Sequence, residues 1–194
     1  MSGGLAWGIV ALGFGVVVVR RRSVAVALVT VQALLLAAVA LGESTSADDA
    51  VAAAALGMRA IGLALFFLLL VKRTREARPV RASVEPVARA GAAIVLALSL
   101  VWLVPEIGLE SESAEASVLA LLAIGLATAA TRRATLFQIL GIVVVENALA
   151  LAALSLPGDS SLAIELGVTV DLILIALVAG VFHERIFAEF GSGD

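Results

Sequence analysis

Three carboxylates, Glu146, Glu165 and Asp171, interrupt stretches of this 194-residue chain that are otherwise apolar enough to span a membrane. An acid at the bilayer centre costs roughly 2.5–3.5 kcal/mol on insertion scales, so such a residue points by default to a functional site. The chemistry that suits it is proton exchange. Desolvation raises a buried carboxyl's pKa toward neutrality and a nearby cation lowers it, so a moving charge loads or releases a proton. Chains of Asp, Glu or His are the usual relays of pumps. At ~1.5 Å per residue, Glu146 lies ~20 Å beyond Arg133 and ~16 Å before Pro157, close to mid-span. Asp171 lies ~15 Å from Ser161 and ~18 Å from His183, at a similar depth, whereas Glu165 is only ~6 Å inside the outer boundary. Arg59 also falls near the middle of its apolar run. Three ionisable groups at one depth on different helices, Arg59, Glu146 and Asp171, suggest a lateral polar path.

A blander reading stands beside this one. The acids would merely hold helices together by pairing with Arg59, Gln138, Asn147 or Thr169. Three acids against one buried base leave at least two without a permanent counter-ion, which favours the relay. Arg59 itself reads as a structural or tuning counter-ion, and Gln32, Gln138 and Asn147 as interhelical hydrogen bonders. Glu165 and Asp171 are ~9 Å apart along the axis and roughly 120° apart around it, so they face different partners. One is expected to face this chain's bundle and the other a neighbouring subunit.

Composition sets the solvent. The chain is 62% hydrophobic and 15% charged, with a mean hydropathy of +1.13. No soluble domain of this size hides so much apolar surface, so lipid must surround it. The absence of cysteine excludes thiolate metal sites, iron–sulfur ligation and disulfides, and the single histidine, His183, makes no metal site alone. A net charge of -3 argues against a nucleic-acid partner. Arg20–Arg22 follow the first apolar run instead of preceding it, the reverse of a cleavable secretory signal.

Seven apolar runs are bounded by charges or turn residues: Leu5–Val19, Ser23–Leu41, Ala50–Val71, Val87–Val104, Ser117–Thr131, Ala134–Leu156 and Leu162–Phe182. They predict an all-α, polytopic transmembrane helix bundle of about seven spans. Apart from Arg59, the basic residues fall in alternate connections, and the other connections are acidic. The positive-inside rule then puts the N-terminus outside and the C-terminus in the cytoplasm. Trp7 and Trp102 lie toward outer span ends, as interface anchors should. Gly4 with Gly8, and Gly57 with Gly62, suggest close helix packing. His183 reads as part of a solvated helix end, and Ile186, Phe187 and Phe190 as residues on the inner surface or against a partner.

The expected organisation is an N-terminal three-helix unit (1–71), a basic cytoplasmic loop (72–89), a linking fourth helix with an acidic outer loop (90–116), a second three-helix unit (117–185) and a tail (186–194). The loop reads as a solvated connector or as a dock for anionic lipid or a cytoplasmic partner. A weak internal repeat supports the plan. Arg21–Arg22 lead into a span carrying Gln32, and Arg132–Arg133 lead into one carrying Glu146.

The run Arg132-Arg133-Ala134-Thr135-Leu136-Phe137-Gln138-Ile139-Leu140-Gly141-Ile142-Val143-Val144-Val145-Glu146-Asn147-Ala148 resembles the second helix of the K subunit of respiratory complex I. It is similar, too, to the C subunit of multisubunit sodium/proton antiporters. The acid is displaced one turn from those patterns, directly before Asn147. With Ile164-Glu165-Leu166-Gly167 and the following Asp171, this form looks most like the hydrogenase-4 component E family. The resemblance covers about residues 117–185 well and the first half in outline. It implies a non-catalytic, multi-pass subunit of the cell inner (plasma) membrane within a complex-I-like redox-linked proton pump. Antiporter-like and complex I-like membrane subunits would be its partners. Cofactors would belong to other chains, because this one lacks ligands for redox centres. Glu146 carries over to one acid of a central hydrophilic axis, and either Glu165 or Asp171 to the other. Two alternatives remain open: a subunit of a cation/proton antiporter, and a purely structural scaffold.

Overall fold

The structure, a computed structural model, describes residues 3–73, 85–132 and 134–156. They form six helices, α1 (Gly3–Val18), α2 (Arg22–Glu43), α3 (Ala47–Arg73), α4 (Pro86–Leu103), α5 (Glu112–Thr131) and α6 (Thr135–Leu154). Five of them, α2 to α6, are long and apolar enough to cross a membrane; α1 has 16 residues and is shorter. The chain is thus all-α and multi-pass in character. The described residues hold six helices where seven were expected. The expected seventh run, Leu162–Phe182, lies outside them, together with Glu165, Asp171, His183 and the tail.

Local chemistry sets the helix limits. Ahead of α3, the Ser46 hydroxyl accepts from the Asp49 amide (3.1 Å) and the Asp49 carboxylate accepts from the Ser46 amide (3.1 Å). This reciprocal cap satisfies two orphan donors and starts the helix before the apolar run expected from Ala50. Pro86 opens α4, where its missing N–H costs nothing. Arg89, assigned from sequence to the basic loop, therefore belongs to the first turn of a helix. Ser111 caps α5 through the Ala114 amide (3.2 Å). The loop between α4 and α5 wraps the Glu115 carboxylate, which accepts from the amides of Ile107, Gly108 and Leu109 at 2.9, 2.7 and 3.1 Å. Gly108 sits at φ +81°, which a residue without Cβ adopts at no steric cost.

Helices α1, α2, α6 and α5 pack in a ring, each against the next. α3 lies on the outside of α2, and α4 on α5 and α1. Trp7, near the start of α1, donates to Ser113 Oγ at the start of α5 (3.2 Å). At the other end, Arg132 just beyond α5 donates to the Val17 carbonyl in the last turn of α1 (2.9 Å). α1 and α5 therefore run in the same direction, and the short connections to α2 and α6 make those two parallel as well.

The buried face of α1 is a stripe at helical spacing, Ala6, Ile9, Val10, Gly13, Val16 and Val17. α5 is different. Its buried residues surround most of the helix, as suits an element with neighbours on several sides. The closest backbone approach is between α5 and α6. A Cβ added at Gly125 would stand 2.8 Å from the Gly141 carbonyl oxygen, and one at Gly141 2.6 Å from the Ala129 nitrogen. Of the glycines expected to pack, Gly57 faces a neighbour, a Cβ there standing 3.8 Å from the Ala37 Cβ on α2, and the other three differ among the described residues. Cβ atoms at Gly4, Gly8 and Gly62 would meet nothing within 4 Å. Spacing alone does not say which face of a helix a glycine occupies.

Candidate functional site

Glu146 and Asn147 are consecutive on α6, so their side chains leave the helix about 100° apart and address two different neighbours. Glu146 is buried, at 7% exposure, and faces α3, where the Arg59 guanidinium forms an ion pair and hydrogen bond with its Oε2. Arg59 is 18% exposed. α3 packs mainly on α2, so the reach of an arginine is what brings its charge to α6.

Asn147 faces α2. Its side-chain amide donates to Gln32 Oε1 (2.8 Å), and Gln32 Nε2 donates onward to the Ile9 carbonyl on α1 (2.8 Å). Both residues are buried. An unsatisfied amide in a lipid-surrounded bundle is costly, and these two are arranged so that each bonds across a helix boundary. Taking an extra acceptor on α1 is possible because Gly13 leaves room: a Cβ there would stand 3.1 Å from Gln32 Nε2.

Arg59–Glu146 and Asn147–Gln32–Ile9 together form a polar seam through four helices, α3, α6, α2 and α1. A small cavity of about 10 Å³, room for the centre of one water molecule, adjoins it. Arg59 and Asn147 line this cavity along with Leu36, Leu63, Val143 and others from α2, α3 and α6. A water there would have the guanidinium as donor and the Asn147 amide as a second partner. Of the seam's groups, the Glu146 carboxyl is the one whose chemical type suits proton exchange; the Arg59 guanidinium offers donors alone, and the amides fix orientation.

The seam brings together Arg59, Glu146, Asn147 and Gln32, read separately from sequence. Gln138 is elsewhere on α6, half-buried, and its side chain finds no hydrogen-bond partner among the described residues. Glu165 and Asp171 lie outside those residues. Sequence reasoning did not see that Gln32 and Asn147 would be each other's partner. The signal was partial: Gln32 lies ten residues past Arg22 and Asn147 fourteen past Arg133, so the two differ by about one helical turn along parallel helices, within reach of two amide side chains. Among the described residues, no cluster of three or more His, Cys, Asp or Glu side chains is placed to hold a metal ion. Compared with family models, with curated proteins and with solved structures, the chain gives no match in any of the three.

Proposed function

We propose that this chain is a non-catalytic membrane subunit of a complex-I-like, redox-linked proton pump of the hydrogenase-4 or formate hydrogenlyase type, and that Glu146 is one station of its proton relay. The observation that supports the reading is the position of Glu146: a buried carboxylate on α6, paired with a partly exposed cation that itself lines a water-sized cavity. In this reading the Arg59 guanidinium orients the Glu146 carboxyl, and the cavity that Arg59 and Asn147 line leaves space for a water beside the pair. Asp171 or Glu165 would continue the relay on a seventh span, with the N-terminus outside and the C-terminus in the cytoplasm of a plasma-membrane complex.

The ion pair also favours a second reading. With Arg59 as a standing counter-ion, Glu146 acts as helix glue, and the chain is a scaffold for its neighbours. The two separate cleanly in the assembled complex. Glu146→Gln and Asp171→Asn, made singly, leave assembly intact and abolish pumping if the acids relay protons. Lost assembly marks the scaffold, and normal assembly with normal pumping in both variants removes the relay. Replacing external sodium leaves a proton pump unaffected and stops an antiporter that carries sodium.

A further inference from the structure

At the end of the bundle opposite the acidic loops, three arginines converge. Arg20 follows α1, Arg89 lies in the first turn of α4, and Arg132 follows α5. α4 packs against both α1 and α5, which brings its start beside their ends. Arg132 has a structural task. Its Nη2 donates to the carbonyls of Val16 (3.4 Å), Val17 (2.9 Å) and Val19, and its guanidinium lies 3.9 Å over the Phe137 ring. A cation there complements the negative end of the α1 dipole. Its Nε and Nη1 are nevertheless buried with no partner among the described residues. Arg89 has no such task. It is 0% exposed, and among the described residues none of its three guanidinium nitrogens has a hydrogen-bond partner. Burial, then the charges of Arg89 and Arg20, push Arg132 down to about 10.

Unpaired buried guanidinium groups are strongly unfavourable, and a cluster of them calls for an anion. We propose that Arg20, Arg89 and Arg132 form a binding site for the phosphate of an anionic phospholipid headgroup. Guanidinium groups match phosphate in planar, bidentate geometry. The start of α4 adds backbone N–H groups, because Glu85 at the N-cap places no side-chain hydrogen bond on them. Arg20 is exposed and so leads from the headgroup layer toward Arg89. The basic end of a membrane protein lies in the leaflet that carries anionic lipid, which supplies the ligand at high local concentration.

The test uses the full chain in nanodiscs of phosphatidylcholine alone and of phosphatidylcholine with phosphatidylglycerol, comparing thermal unfolding of the native protein, Arg89→Gln and Arg20→Gln. The expected result is a crossover. In phosphatidylcholine Arg89→Gln unfolds at or above the native temperature, because an unpartnered charge is gone. With phosphatidylglycerol the native protein gains several degrees, Arg89→Gln gains nothing, and the exposed-site variant Arg20→Gln gains less than the native protein. Equal gains for the native protein and Arg89→Gln overturn the proposal. So does an Arg89→Gln protein less stable than native in both lipids, which would identify a protein carboxylate as the counter-ion. Inorganic phosphate reproducing the whole gain in phosphatidylcholine would replace the lipid with a free anion.

Discussion

Helices α5 and α6 bury 61% and 56% of their most apolar windows within the chain, whereas α3 and α4 bury 17% and 11%. All four are apolar enough to cross a membrane. In lipid, apolarity does not draw helices together, because acyl chains solvate leucine as well as another helix does. What distinguishes the inner pair is small residues where backbones cross, Gly125 and Gly141, and polar groups that need partners, Glu146 and Asn147 on α6. α4 turns Val87, Val95, Leu98 and Trp102 outward and meets the bundle through Ala93 and Arg89. Each outer helix packs closely on one main neighbour, α3 on α2 and α4 on α5, and turns the rest of its surface outward; Arg59 carries a charge from α3 across to α6.

The sharpest break of this contrast is a glycine pair. Gly141→Val places carbon against backbone atoms that cannot yield, and is expected to cost more than the ~1–3 kcal/mol of ordinary overpacking. Gly91→Ala on α4, where a Cβ meets nothing within 4 Å, is expected to be neutral or to stabilise by up to ~1 kcal/mol. Thermal unfolding of both in one detergent measures the difference, and equal losses would remove the distinction between inner and outer helices.

Arg59→Leu comes next. It strips the buried Glu146 of its counter-ion, and the cost stays below the ~3–5 kcal/mol of a fully buried pair, because Arg59 is partly exposed. Thermal unfolding in the same detergent measures the loss, and an unchanged unfolding temperature would contradict a structural role for the pair. Asn147→Leu leaves Gln32 one partner short and is expected to cost ~1–3 kcal/mol, with no pH dependence of its own. Leu98→Ala on the outward face of α4 is expected to stay within ~0.5 kcal/mol.

Much of the helical plan was legible in the apolar runs, since charges and turn residues bound them. The limits moved where local capping, as at Ser46 and Asp49, extended a helix into polar sequence. Depth along the membrane was legible too, because rise per residue is fixed: Arg59 and Glu146, placed near mid-span from sequence, meet in the structure. Azimuth was not. Whether a residue faces lipid or a neighbour depends on which helices pack, and near-uniform apolarity leaves no stripe on α5 or α6 to say so. For that reason Gly4 and Gly8 were taken as packing residues and Gly125 was not. Arg89 was counted in both the basic loop and the apolar run from Val87, and the Pro86 helix start places it in the first turn of α4.

The most direct test concerns whether Glu146 changes protonation during turnover. Infrared difference spectra of the working complex, native against Glu146→Gln, resolve the protonated-carboxyl band of this one side chain. A relay through Glu146 gives a band that appears and disappears with turnover in the native complex and is missing from the variant. Identical spectra from the two, with no carboxyl band to assign, would mean an acid permanently ionised against Arg59, and the relay at this position would be refuted.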